Sequence, residues 1–132
     1  MEITVNEQAQ RFYLALDKWV DVVGHEIKVG KYRFCANPIG NHINVTEVTT
    51  GAKMFNIPVD LTIHLITETK EETIKFLYSV GESIKRIIDK LEDFDGMLME
   101  MKKKAFDRLG KMPPIENVNT DWIEADIADV VN

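Results

Sequence analysis

The 132 residues include a single cysteine, Cys35, and only 4 prolines and 7 glycines. One thiol excludes an intramolecular disulfide and any zinc site built on several cysteines. No apolar run of about 18 residues occurs, which excludes a membrane-spanning helix. The opening MEITVNEQAQ is polar and acidic, without the basic start and apolar centre of a secretory signal. The resulting expectation is a cytoplasmic protein with no membrane partner. A phosphate loop is missing as well. Gly51-Ala52-Lys53 joins a glycine to a lysine, but it lacks the GxxxxGK(S/T) spacing and precedes a strand pattern instead of a helix.

What is present fits one globular domain: 45% of the residues are hydrophobic and 29% charged. A chain of this length buries roughly two-thirds of its unfolded surface, so it needs neither disulfide nor metal to fold. The net charge of −6 is unevenly spread. Residues 113–132 hold Glu116, Asp121, Glu124, Asp126 and Asp129 and no Lys or Arg; residues 97–112 hold Lys102, Lys103, Lys104, Arg108 and Lys111 against Glu100 and Asp107. An acidic body argues against general affinity for nucleic acid. Fourteen Ile, 12 Lys and 8 Asn against 7 Ala and 4 Arg is a bias typical of AT-rich genomes.

The pattern predicts an α+β fold. Val5, Ala9, Phe12, Leu16, Trp19 and Val23 alternate steps of four and three, the signature of an N-terminal amphipathic helix. Thr4-Val5-Asn6-Glu7 reads as its capping box and Gly24 as its stop. A small antiparallel β-meander of three to five strands follows. Tyr32, Phe34 and Ala36 alternate with Lys31, Arg33 and Cys35; residues 43–49 are rich in β-branched side chains; Lys53 to Val59 form the next strand. Pro58 removes a ladder donor and marks that last strand as an edge or an end. Residues 26–29, turning at Gly30, are a further candidate strand. The stretch from Leu61 is open between a strand and a short helix starting at Asp60.

Thr69-Lys70-Glu71-Glu72 is a second capping box. Beyond it Ile74, Leu77, Gly81, Ile84, Ile88 and Leu91 repeat as a heptad seam. The seam resumes at Phe94 after a consecutive step of three, and Gly96 sits at the same place. The expectation is one long bent helix over about residues 70–110, stopped by Gly110 and Pro113-Pro114. About 40 helical residues span roughly 60 Å, longer than the body, so Ile74, Leu77, Ile84, Ile88 and Leu91 are the expected interface of a coiled-coil homodimer or higher oligomer. The chain thus divides into a domain over 1–112 with a projecting helix and a segment over 113–132. That segment joins a Pro-containing linker to an acidic amphipathic tail, in which Trp122, Ile123 and Ile127 are candidate partner-binding residues.

Catalytic constellations are hard to assemble. His25, His42, His64 and Cys35 share no metal-ligand spacing, so no metal and no cofactor is expected. Nothing marks Cys35 as an activated nucleophile. Glu71, Glu72, Asp93 and Asp95 read as a solvated helix face, and Asn44-Val45-Thr46 as a glycosylation triplet without secretion. Binding chemistry is better represented. Lys102, Lys103, Lys104, Arg108 and Lys111 either contact an anion or form the outside of a helix near its negative end. Arg33 and Lys53, with Lys31 and the aromatic Tyr32 nearby, make a candidate anion cradle on the sheet. Together these features lead to the expectation of a non-enzymatic binding protein for a macromolecular partner, such as a phage or mobile-element inhibitor or regulator. The alternative is an oligomeric protein that sequesters a nucleotide or other small anion between subunits.

Overall fold

The computed structural model describes residues 1–118. Their elements, in chain order, are β1 (Ile3–Val5), β2 (Gln10–Ala15), β3 (Trp19–Val29), β4 (Tyr32–Ile39), β5 (His42–Glu47), β6 (Lys53–Pro58), α1 (Leu61–Ile66), α2 (Lys70–Lys90), α3 (Phe94–Leu109) and β7 (Glu116–Asn117). The strands lie in the order β6-β5-β4-β3-β2-β7, with β1 also paired to β3. Every pairing is antiparallel.

The expected N-terminal helix is absent; residues 3–29 are strands. Spacing of three and four residues is compatible with a helix, but the side chains favour extended backbone. Trp19 to Val29 contains four valines and an isoleucine, whose branched Cβ atoms crowd a helix and suit a pleated surface. Within β2 the buried residues are Phe12 and Leu14, a period of two. Thr4, the presumed cap, pairs with Lys28. The meander is accordingly replaced by seven strands among the described residues, with the helices after β6. Pro58 does end the edge strand β6. At the stretch left open, the helix prevails: Asp60 caps α1 by accepting from the Ile63 amide at 2.9 Å.

Strand β3 changes partners half-way. Trp19 to Gly24 pair with β2, whereas His25 to Val29 pair with β4. Gly24 sits at the switch and is a buried strand residue, not a helix stop; a Cβ there would overlap the Ala36 carbonyl and the Asn37 side chain. The consequence is a core on each face of β4. Phe34 and Ala36 join Ile27, Val29 and Val45 beneath Leu77, Val80, Ile84 and Ile88 of α2. Cys35 instead joins Phe12 and Val48, with Val22 and Ile115 packed alongside. All four residues from Phe34 to Asn37 are therefore buried.

The long helix is also corrected. It ends at Lys90, Leu91 takes an extended backbone, and α3 starts anew at Phe94. Asp93 caps α3 by accepting from the Gly96 amide at 3.0 Å. Gly96 thus belongs to a first turn, folded under the Asp93 carboxylate. With 21 residues, α2 is about 30 Å long and does not project. Leu77, Ile84 and Ile88 are buried on the chain's own sheet, Ile74 packs against the same core, and Leu91 lies exposed at the helix end. Each buried aliphatic side chain there stabilises the fold by about 1.5–3 kcal/mol. Coverage of the seam needs no coiled coil and no second chain.

Beyond Pro113-Pro114, Ile115 joins the second core, and β7 pairs Glu116 and Asn117 with Arg11 and Gln10. The Val118 amide adds a hydrogen bond to the Ala9 carbonyl at 2.9 Å, so residues 115–118 pack and pair against the domain. The expectations for Trp122, Ile123 and Ile127 fall outside the described residues. Among the described residues, no helix is long and apolar enough to cross a membrane.

Candidate functional site

The break at Leu91–Asp93 swings α3 across the β3–β4 turn, and a cleft of about 400 Å³ opens between them. Lys31, Tyr32 and Arg33 contribute from the turn and the start of β4, Glu47 and Thr49 from the end of β5, and Asp95, Leu98, Met99 and Lys102 from α3. Helical spacing explains the α3 set: positions 95, 98, 99 and 102 recur every three or four residues and share one face.

Aromatic packing holds the two walls together. Phe94 meets Tyr32 edge-on at 4.8 Å between ring centroids and stacks on Phe34 at 6.2 Å. At the rim the Lys31 ammonium donates to Asp95 Oδ2 at 3.0 Å and lies 5.3 Å from the Tyr32 ring centre. The hydrogen bond to Asp95 raises the Lys31 pKa and lowers that of Asp95. Burial first, and the Asp95 carboxylate second, hold the Tyr32 phenol above its ordinary value. At neutral pH the rim is an ion pair beside a neutral phenol.

The remaining charges are unequally committed. Glu47 is only 1% exposed, and its carboxylate accepts from the Thr49 and Thr50 amides at 3.1 and 2.8 Å and from the Thr49 hydroxyl at 2.7 Å. It closes the 47–50 turn. Arg33 donates through Nε and Nη2 to Glu26 Oε1 at 2.9 and 2.6 Å, leaving Nη1 without a hydrogen bond among the described residues. Lys102 lies 5.4 Å from the Phe106 ring centre, with no described carboxylate within ion-pair distance. With Asp95 held by Lys31 and Glu47 held by its turn, the cleft retains donors for an anion at Lys102 and Arg33. Leu98, Met99 and the Tyr32 ring supply apolar wall.

No protein-family model, no curated protein and no solved structure matches the chain. The functional reading rests on this geometry.

Of the three residues singled out for an anion, Tyr32 and Arg33 line the cleft together, while Lys53 starts the edge strand β6, exposed and away from it. Sheet order explains the split, because β5 separates β6 from β4. Asp95, Leu98 and Met99 escaped notice as site residues. Their convergence on Tyr32 depends on the helix break, for which the step of three from Leu91 to Phe94 is the available signal.

Among the described residues, the histidines and Cys35 lie apart from one another. His25 Nδ1 lies 3.0 Å from the Asn6 carbonyl, His42 opens β5 and His64 lies on α1. Among the described residues, no three His, Cys, Asp or Glu side chains are grouped as metal ligands. Cys35 is fully buried, and burial pushes its thiol up to about 12, despite the Asn37 amide donating to Sγ at 3.2 Å. A thiol so placed is protonated at neutral pH and packs as a small hydrophobe.

Proposed function

We propose that the chain is a non-enzymatic binding protein that recognises an acidic segment of a macromolecular partner, with the β4–α3 cleft as its recognition surface. The observation that carries this reading is the placement of Lys102 and Arg33 around a cleft whose own carboxylates are already engaged. An acidic side chain entering there gains a charge-assisted hydrogen bond without displacing an internal partner. Lys103, exposed one residue after Lys102 and one turn after Met99, flanks the cleft face of α3, and Met99, 73% exposed, marks an apolar rim. A ligand that uses both is longer than the cleft itself, which favours a peptide segment over a small molecule. A cytoplasmic inhibitor or regulator carried by a phage or mobile element is one concrete form, and the AT-rich composition is in keeping with it.

The second reading, a small anion held by the same residues, has the compact grouping of Tyr32, Arg33 and Lys102 in its favour. Fluorescence anisotropy separates the two. A labelled peptide of alternating Glu and Leu should bind the full chain and weaken as salt rises, because the contact is electrostatic. Inorganic phosphate should compete poorly. Phosphate binding more tightly than the peptide would select the small-ligand reading; tighter binding of a single-stranded oligonucleotide would overturn both.

A further inference from the structure

Strand β1 leaves one row of backbone groups unpaired, and the last described residue of the chain stands beside that row. The Asn6 amide donates to the Glu26 carbonyl and the Gly30 amide to the Glu2 carbonyl, at 2.9 and 2.8 Å. Even-numbered residues of β1 therefore face β3, and the peptide groups of Ile3 and Val5 face away from it. Strand β2 has the same parity: the Ala15 amide turns outward to the Gly51 carbonyl, and the Ala9 carbonyl accepts from the Val118 amide. With odd residues outward in both, β1 and β2 lie along the same edge of β3. Among the described residues β1 pairs with β3 alone, whereas β2 carries β7 on its outer side. β7 runs antiparallel to β2, with Glu116 opposite Arg11 and Asn117 opposite Gln10. Each residue after Val118 thus continues past Ala9 towards β1.

We infer that residues 119–124 add as an antiparallel strand to the outer edge of β1 and bring Trp122 against its apolar face. Parity selects the tryptophan. Asn6 to Ala9 separate β1 from β2, while only His25 and Glu26 separate their partners on β3. A strand that follows the ladder residue for residue sets Trp122 opposite Val5; one that skips the two extra residues sets it opposite Ile3. Directly opposed residues share a face, so in either register the indole lies on the face of Ile3 and Val5. Both side chains pack against the core under α2 yet remain half-buried, and Ile3 lies against Gly81. Tyr78, one turn before Gly81, is 43% exposed and offers a further aromatic surface. Asp121 and Ile123 fall on the opposite face, that of Thr4 and its partner Lys28. The Lys28 ammonium has no described carboxylate within ion-pair distance, and Asp121 brings one to that side. Six extended residues span about 20 Å, ample for an edge of three residues. Attachment at Val118 also gives this segment a local concentration far above that of any free strand.

Amide hydrogen exchange on the full chain, read by NMR, tests the assignment. The outward amides of Ile3 and Val5 should be protected in the wild type. Trp122→Ala should speed their exchange at least tenfold and leave the Thr4 amide, which faces β3, unchanged; general unfolding would move all three together. Ile3 and Val5 amides that exchange freely in the wild type would overturn the proposal, as would protection indifferent to Trp122→Ala. Protection that fades on dilution would assign the added strand to a second copy and overturn it equally.

Discussion

Gly81 of α2 presses on Ile3 of β1: a Cβ at Gly81 would come 2.6 Å from Ile3 Cγ2 and 3.2 Å from Ile27 Cγ2. The glycine lets the helix axis approach the sheet where β1 pairs with β3. Replacing a mid-helix glycine by alanine ordinarily gains up to about 1 kcal/mol of helix propensity. Overpacking of a filled core costs about 1–3 kcal/mol, and the second effect should win here. Gly81→Ala is expected to lower stability by about 1 kcal/mol in denaturant unfolding; a stabilised variant would show that β1 yields to the helix.

Glu47 supports a second prediction. Its buried carboxylate satisfies two backbone amides and a hydroxyl in the turn after β5. Glu47→Ala leaves all three donors without their partner and should cost about 2–4 kcal/mol. Unfolding should also become easier at that turn, visible as faster amide exchange at Thr49 and Thr50. Unchanged exchange would mean that water replaces the carboxylate.

Cys35 supplies a pH test. Burial raises its folded pKa from an ordinary 9.0 to about 12. The thiol then stays protonated in the folded protein, while the unfolded chain loses that proton above about pH 9. Its contribution to stability is complete below the unfolded value and declines as pH rises from about 9 towards 12. Stability of the wild type should therefore fall more steeply over that interval than stability of Cys35→Ala. The native thiol should also resist alkylation at pH 8 until the protein is unfolded. Rapid alkylation of the folded protein would contradict the burial of Cys35 against Phe12 and Val48.

How much of this was legible in sequence differs by region. Turns were readable because their chemistry is local: Gly30, Gly40 and Gly51 all adopt positive φ, at 60°, 58° and 71°. The Thr69 cap of α2 was readable for the same reason, as was the shared face of Phe34 and Ala36. The first 29 residues were not. Apolar positions at 5, 9, 12, 16, 19 and 23 fit a helical stripe, and only pairing with distant strands decides against it. A similar dependence on distant structure hid half of the cleft. Tyr32 and Arg33 announce themselves as an aromatic beside a cation, but Asp95 reaches Lys31 only because the chain leaves the helix at Leu91 and is recapped by Asp93. The buried seam has the same origin. Ile84 and Ile88 advertise an apolar face, yet the period does not say whether a sheet or another helix covers it.

Asp95 also regulates the proposed site in a predictable direction. It holds the Lys31 ammonium at 3.0 Å, so removing its charge should free a third cation for an incoming carboxylate. Asp95→Asn is expected to tighten binding of the Glu/Leu peptide several-fold at low salt, with the difference shrinking as salt is added. Both residues are largely exposed, so the thermal midpoint should change little. Weaker binding by this variant would mean that the ion pair shapes the cleft instead of competing with the ligand.

The most direct test of the cleft as a recognition surface is the affinity of the Glu/Leu peptide for Lys102→Glu, measured by anisotropy beside the wild type and Lys70→Glu. Lys70 lies exposed at the start of α2, outside the cleft, and controls for the change in net charge. Loss of at least tenfold in affinity for Lys102→Glu, with Lys70→Glu close to the wild type, is the predicted result. Equal losses for the two variants, or none for Lys102→Glu, would contradict it.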